Sequence, residues 1–342
     1  MTAKRFCRLT LGGIFLCLLL IIATVAVIDP FEIYHRALFY IPSFRSEIQS
    51  YSNAGVAKSF DYDSVIVGSS VTENCIPSVY EEALGGRFVK LCMNAGTAMD
   101  HARMLEMAFR THRVRRVVYG VDVFAYPVYW TNQKMETPNY LYDASLLNDV
   151  QYWFNEDVIF KEIPYALTHL GKMNEQGIRD WMYVWNPPER PTPESLQVTV
   201  KDPVPGQEPS RMELIEMNIE HNLIPFFEAH PDTEFDLFFP PYSLSYWRDQ
   251  MNRGQFEADM ECRNRIIEAV TGYANVHLYD FALLREWITD YSHYYDYRHY
   301  TSEINDAIAF AIRENRMRIT SAEQGKQNTD ELRRLVMDKS VP

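Results

Sequence analysis

The feature that most constrains this chain is an uncharged apolar run from Leu9 to Ile28. About 20 apolar residues in a helix, rising ~1.5 Å each, cover the ~30 Å hydrocarbon core of a bilayer. The flanking charges are basic before the run and acidic after it: Lys4, Arg5 and Arg8, then Asp29 and Glu32. The positive-inside tendency therefore predicts a single-pass cell-membrane anchor, with residues 1–8 cytoplasmic and the rest extracytoplasmic.

A cleaved signal peptide is the alternative interpretation of this run. Such peptides have an apolar core of about 7–15 residues, which is shorter than the one seen here. The small-residue pattern around Ala26 is a poor cleavage site, and Cys17 follows bulky Phe15 and Leu16, unlike a lipoprotein site. We therefore interpret residues 9–28 as a retained signal-anchor.

Charge and cysteine content exclude other classes. The net charge of −13 disfavours nucleic acid, whose phosphates require a basic face, and also broad adhesion to anionic lipid. Beyond the anchor the cysteines are Cys75, Cys92 and Cys262, too few for a disulfide scaffold. A Cys75–Cys92 bridge and buried free thiols both remain open.

After a juxtamembrane stalk over 29–60, short β-branched runs alternate with helical spacing. The predicted strands are Ser64–Gly68, Arg87–Met93, Arg116–Val121, Glu234–Phe239 and Asn275–Tyr279. The predicted helices between and after them are Pro77–Leu84, Ala98–Thr111, Gln255–Val270 and Ser302–Arg318. This order predicts one α/β domain over 61–318 with a parallel sheet, followed by a frayed charged tail over 319–342.

A segment over about 125–233 interrupts the alternation and predicts a large insertion, which we expect to form a flap over the site. Within it we expect helices over Ala144–Phe154 and Asp157–Lys172, and a loop or exposed flap over Pro-rich Asn186–Pro209. A capping box at Ser210–Glu213 predicts a further helix that ends or kinks before Pro225.

Candidate catalytic groups follow the strands, where ligands bind in open parallel sheets. Ser70 comes after the first strand, and Asp296 and His299 lead into the final predicted helix. Ser70 could be a nucleophile, His299 its base and Asp296 the group that orients the imidazole. Taken alone, each motif also fits a purely structural role. The serine could be an N-cap, and Asp-x-x-His could form a hydrogen bond at the entry to a helix. Their joint placement favours catalysis.

This arrangement resembles the SGNH (GDSL-type) hydrolase superfamily from about Asp63 to Arg318. Gly68-Ser69-Ser70 matches its first block and Asp296-Tyr-Arg-His299 its last, with the middle segment unmatched. The resemblance implies a flavodoxin-like three-layer fold with Ser70, Asp296 and His299 as the triad.

The same resemblance implies an oxyanion site at the second and third blocks. Gly96, in Asn94-Ala95-Gly96, would offer its N–H, and Asn94 lies beside it. Asp122 stands where the family usually places an asparagine donor. An ionised carboxylate would repel an oxyanion, so Asp122 turns away, is protonated, or leaves the oxyanion to Ser70 and Gly96.

The Gly-Ser-Ser form and the anchor are similar to proteins of D-alanyl-lipoteichoic-acid biosynthesis and alginate O-acetylation. That resemblance implies an extracytoplasmic serine esterase or O-acyltransferase. Its expected substrate is a cell-envelope glycopolymer, and its expected role is polysaccharide modification. It also implies an acyl donor and a multi-pass membrane acyltransferase as partners; we expect no cofactor.

Two other hypotheses remain open. A catalytically inactive, glycan-binding scaffold is motivated by Asp122 and by tyrosines that could stack on sugars: Tyr291, Tyr294, Tyr295, Tyr297 and Tyr300. Each tyrosine could equally pack the last helix. A metal-dependent hydrolase is motivated by a three-residue repeat of Asp290, His293, Asp296 and His299, although the surrounding residues favour a loop. We predict no metal site.

Overall fold

The computed structural model describes residues 2–134, 136–187, 189–201 and 211–341. The chain divides into two compact units. The anchor unit comprises Met1–Phe60 and Thr137–Glu175, and the sheet unit comprises Asp61–Glu136 and Gln176–Pro342.

Helices and strands are numbered here in chain order. The α-helices are α1 Ala3–Ile28, α2 Gln49–Ser59, α3 Pro77–Leu84, α4 Ala98–Thr111, α5 Val150–Trp153, α6 Ile163–Thr168, α7 Glu175–Trp181, α8 Met212–Asn222, α9 Ile224–Ala229, α10 Leu244–Asn252, α11 Phe256–Val270, α12 Arg285–Ile288, α13 Ser302–Arg313 and α14 Ala322–Met337. The strands are β1 Ser64–Gly68, β2 Phe88–Cys92, β3 Arg116–Gly120, β4 Glu234–Phe239, β5 Val276–Asp280 and β6 Arg318–Ile319.

The predicted α/β class with a parallel sheet is confirmed. The sheet unit holds one six-stranded sheet in the order β2-β1-β3-β4-β5-β6, in which β1 to β5 pair in parallel. The order 2-1-3-4-5 is that of flavodoxin-like sheets. The parallel strands are buried almost throughout, as expected for a sheet that is covered on both faces.

In the anchor unit, α1 is long and apolar enough to cross a membrane. The chain then turns sharply at Asp29, which has a left-handed φ of 45°. The buried Asp29 carboxylate accepts hydrogen bonds from the Tyr34 N–H (2.7 Å) and the Tyr152 hydroxyl (3.0 Å). These bonds tie the residues after α1 to α5.

The predicted helices 144–154 and 157–172 are both shorter in the structure. Asp143 accepts from the Ser145 N–H (2.8 Å) and the Asn148 amide (2.6 Å), and such local bonds compete with a helix start. A π-helical turn, Val158–Glu162, leads into α6. The chain leaves α6 at His169, whose carbonyl accepts from the Ile41 N–H (3.0 Å).

The tail prediction was wrong, because residues after α13 form β6 and α14 instead of fraying. The sheet gains β6 antiparallel to β5. Ser321 caps α14 by accepting from the Gln324 N–H (3.1 Å), and Leu332, Leu335 and Val336 are buried. An apolar stripe at helical spacing therefore holds this charged helix on the fold.

Three smaller predictions have different outcomes. The helix expected to stop before Pro225 ends at Asn222, and α9 begins directly after it. In the described part of the Pro-rich segment, Pro193–Leu196 forms a 3₁₀ turn that the sequence did not predict. Ser210 lies outside the described residues.

All five cysteines are free thiols, so Cys75 and Cys92 are not bridged.

Candidate active site

Ser70 lies where β1 passes into a 3₁₀ turn, Ser70–Thr72. The Thr72 hydroxyl donates to the Ser69 carbonyl (2.8 Å) and closes this turn. Gly68 and Gly120 leave room for Thr72, since a Cβ on either glycine would lie 2.8 Å from its methyl carbon. The small residues that end two neighbouring strands therefore allow the tight turn that presents Ser70 at the carboxyl edge of the sheet.

Asp296 and His299 lie in a loop closed by an antiparallel bridge between Tyr294 and Tyr300. Inside it, the Tyr295 N–H donates to the His299 carbonyl (2.8 Å). Asp296 Oδ1 accepts from the backbone N–H groups of Arg298 (2.7 Å) and His299 (2.8 Å). This is the Asx-type turn that aspartate favours, and it orients the carboxylate toward the imidazole.

The structure brings the three predicted catalytic side chains together. Ser70 Oγ lies 2.8 Å from His299 Nε2, and His299 Nδ1 lies 2.7 Å from Asp296 Oδ2. Burial alone would raise the pKa of Asp296, but the hydrogen bond and charge of His299 and the two N–H donors lower it to about 2. Asp296 is therefore ionised at neutral pH and can hold a proton on Nδ1, which leaves Nε2 as the acceptor facing Ser70.

Asp122 is fully buried at the end of β3. The Tyr242 hydroxyl donates to Asp122 Oδ1. Burial raises the pKa of Asp122, and interactions with Ser69, Tyr242 and the Arg298 charge limit the rise. The Asp122 carboxyl is therefore protonated more readily than that of an ordinary, solvent-exposed aspartate.

Gly96 and Asn94 lie in the turn after β2. The Gly96 N–H donates to the Met93 carbonyl (2.8 Å), so in this conformation the group serves its own turn. A Cβ at Gly96 would lie 2.8 Å from His101 Nε2, which explains why only glycine fits there. Asn94 is partly exposed.

Trp185 is a neighbour of the triad that sequence reasoning missed. Its ring meets His299 edge to face with centroids 5.3 Å apart, and it lies 5.3 Å from the Tyr295 ring. The Trp185 backbone N–H donates to Asn74 Oδ1 (2.9 Å), and the Tyr295 hydroxyl donates to Asn186 Oδ1. The one sequence signal for this contact was that Trp185 adjoins the Pro-rich segment. That segment lies within the insertion that we expected to cover the site.

Arg298 is the second residue whose role was missed, although it lies inside the Asp-x-x-His motif. Its guanidinium lies 4.7 Å from the Phe124 ring centroid, 5.0 Å from that of Tyr246 and 5.8 Å from that of Tyr242. Arg298 thus provides positive charge beside Asp122, on the side of the loop that faces the protein interior.

The alternative hypotheses, a glycan-binding scaffold and a metal-dependent hydrolase, rest on a set of tyrosines and on an Asp/His repeat. Of the five tyrosines, Tyr297 is 38% exposed and the others are buried. The Asp/His repeat forms two separate pairs, with His293 Nε2 3.6 Å from Asp290 Oδ2 and His299 bound to Asp296. Among the described residues, no group of three or more His, Cys, Asp or Glu side chains is arranged to hold a metal ion.

Comparisons with known proteins add little. No family model matches the sequence, and no curated protein matches it. Among solved structures, the chain is similar to one from Streptococcus pneumonia that is provisionally described as a platelet activating factor. The two share 11% identity with a TM-score of 0.41, over 79% of this chain and 91% of that chain.

Proposed function

We propose that this protein is a membrane-anchored serine esterase or O-acyltransferase of SGNH type. The observation that carries the proposal is the continuous contact from Ser70 Oγ through the His299 imidazole to the Asp296 carboxylate, at 2.8 and 2.7 Å. A serine, a base within hydrogen-bond reach and an ionised orienting carboxylate are the requirements for nucleophilic acyl transfer.

In the proposed mechanism, Ser70 Oγ attacks the acyl carbonyl while its proton passes to His299 Nε2. Asp296 stabilises the resulting imidazolium. His299 then returns the proton to the leaving alcohol as the ester C–O bond breaks, which gives an acyl-Ser70 enzyme. Water or an acceptor hydroxyl, deprotonated by His299, attacks the acyl group, and His299 returns that proton to Ser70 Oγ as the acyl–Oγ bond breaks. The Ser70 N–H, at the start of the turn after Ser69, is the proposed oxyanion donor, because a backbone donor held beside the reacting carbonyl stabilises developing negative charge.

We further propose that the substrate is an acylated envelope glycopolymer, with a multi-pass membrane acyltransferase as partner. Supporting this substrate class, the half-buried Trp185 ring lies beside His299 and is backed by the buried Tyr295 ring. Arg190 lies 5.2 Å from the Tyr295 ring centroid. Flat rings with polar edges suit sugar faces, and an arginine suits anionic groups on such polymers.

A serine-directed fluorophosphonate probe tests the nucleophile. The full-length protein should be labelled, and labelling should vanish in Ser70→Ala. Ser69→Ala is the matched control, because Ser69 is adjacent but fully buried and so out of reach of the probe. Labelling that survives Ser70→Ala would reject the assignment.

The inactive-scaffold alternative makes the opposite prediction for the wild type. It predicts neither probe labelling nor turnover of small esters such as p-nitrophenyl acetate, together with glycopolymer binding that persists in Ser70→Ala. Turnover by wild type that Ser70→Ala abolishes would exclude it.

A further inference from the structure

The anchor unit carries an apolar surface that its own fold leaves uncovered. Its members lie in the segment 146–170: Leu146, Leu147, Val150, Phe154, Phe160, Leu167 and Leu170. Leu147 is 92% exposed and Phe160 is 72% exposed. We call this set the apolar collar. Large exposed apolar patches on folded proteins mark interaction sites.

Two collar residues lie on one face of α6 and of the π-helical turn that precedes it. Phe160, Pro164 and Leu167 have i, i+4, i+7 spacing and are all exposed. On the same stretch, Ile163 and Ala166 are buried. Apolar side chains therefore occur both on the face that packs on the unit and on the open face of this stretch, where Lys161 and Thr168 are also exposed.

The collar lies beside the outer end of α1. Both α5 and α6 contact α1, and the last turns of α1 bury Val25 and Ile28 in the anchor unit. The hydrogen bonds to Asp29 described above hold the following residues against the same helices. The collar and the end of α1 therefore belong to one compact unit.

The length of α1 that is open to lipid on all sides is shorter than the hydrocarbon core of a bilayer. In the uncharged run, every side chain is exposed from Leu9 to Leu20, whereas between Ile21 and Ile28 exposed residues such as Val27 alternate with half-buried and buried ones. At ~1.5 Å per residue this stretch covers about 18 Å, whereas the hydrocarbon core is ~30 Å thick. The protein packed on one side of residues 21–28 then lies at the depth of the outer leaflet, where exposed apolar side chains are favoured and charged groups must reach the headgroups.

We propose that the apolar collar is a lipid-facing surface, which seats the anchor unit in the outer leaflet of the bilayer that α1 crosses. Charged side chains also lie along this segment. Lys161 Nζ pairs with Asp157 Oδ1 at 2.6 Å and both side chains are exposed, so the proposal places this pair at headgroup level. Both α5 and α6, which carry collar residues, contact α1, whose exposed side chains are also apolar, so lipid is the occupant that we assign to both surfaces.

Lipid-borne quenchers test this placement in the full-length chain. In a Cys7→Ser/Cys17→Ser background, Leu147→Cys or Phe160→Cys carries an NBD fluorophore; the other native cysteines are buried and stay unlabelled. Val27→Cys, at an exposed site on the outer end of α1, is the positive control. Each protein is reconstituted in phosphatidylcholine vesicles with and without nitroxide-labelled lipid.

We expect the Leu147 and Phe160 labels to be quenched to an extent similar to the Val27 label, with blue-shifted emission. Full fluorescence at both collar sites beside a quenched Val27 label would overturn the proposal and identify the collar as a surface for protein, either a second copy or a membrane partner. Fluorescence retained at Val27 as well would reject the anchor itself. Unchanged thermal unfolding of the labelled variants confirms folding, and none of these outcomes depends on Ser70.

Discussion

The loop around residues 296–299 separates two groups of polar side chains with opposite surroundings. On its open side lie Ser70, His299 and Asp296, whose side chain is 51% exposed. On its closed side lie Arg298 and the fully buried Asp122. Both groups contain a carboxylate and a cationic or basic residue, so residue types alone do not distinguish them.

Two aspartates show what this difference in environment does. Hydrogen bonds from His299 and two backbone N–H groups more than offset burial at Asp296 and lower its pKa to about 2. At Asp122 burial outweighs the favourable contacts, and the pKa is raised. Opposite pKa shifts in two carboxyl groups show that the two have different environments, and such divergence accompanies divided roles at catalytic sites. We therefore propose that the open side carries the chemistry and that the closed side supports the loop.

Among the substitutions considered, replacement of His299 should cause the largest loss of activity. His299→Gln removes the general base, and we expect ester turnover to fall by about 10³-fold or more. The melting temperature should change little, because the residue is partly exposed. Measuring kcat/KM and thermal unfolding together separates the two effects. Residual activity within tenfold of wild type would contradict the role of the base.

Asp296→Asn should give the next largest effect, a loss of about 10²–10⁴-fold in kcat, because an amide does not stabilise the imidazolium. The pH dependence of stability provides a second test. The folded pKa of about 2 lies below the ordinary 3.8, so the stability that Asp296 contributes is present above about pH 4 and is lost as pH falls toward 2. Acid unfolding curves of wild type and variant should therefore converge near pH 2. Curves that remain parallel would show that folding does not lower the pKa of the Asp296 carboxyl.

Arg298→Gln tests the closed side, and here stability should change more than chemistry. Loss of the cation from the Phe124, Tyr242 and Tyr246 rings should lower the free energy of unfolding by about 1–3 kcal/mol. Chemical denaturation measures this loss. A drop in kcat as large as that of His299→Gln, at unchanged stability, would place Arg298 in the chemistry instead.

Asp122→Asn should have the smallest effect. A raised folded pKa means that Asp122 contributes stability at low pH, which is lost as pH rises from about 4 through the folded value. The asparagine variant should flatten this slope and match or exceed wild-type stability at neutral pH. Activity should be equal or higher, since an amide can donate where the carboxylate cannot. Asp122→Ala is the matched control, because it leaves the Tyr242 hydroxyl without its acceptor. A strong loss of activity in the asparagine variant alone would show that the site needs the carboxyl.

Regular elements of the sheet unit were predictable because each has a strong local pattern. The bounds of β1, α3, α4 and β4 coincide with the predictions, since buried parallel strands and amphipathic helices repeat at fixed periods. The short helices in the segment 137–175 were not predictable to the same extent. Their ends depend on side-chain bonds such as those of Asp143, and on the pairing of residue 170 with Tyr40.

The candidate site divides in the same way. Ser70, Asp296 and His299 could be selected from motifs at strand ends, because the topology of a parallel sheet gathers those ends at one edge. Neither the Trp185 contact nor the inward direction of Arg298 follows from any local pattern, since both depend on packing between residues far apart in the chain.

The sequence by itself determined an apolar helix able to span a membrane, an α/β class and the identity of three residues suited to acyl transfer. Periodicity and composition encode these properties locally. Only the tertiary structure decided which carboxylate is exposed and which is buried, where the Gly96 N–H donates, and which apolar side chains of the anchor unit remain uncovered. Burial and hydrogen bonding between distant residues set these properties, and such contacts exist only once the chain has folded.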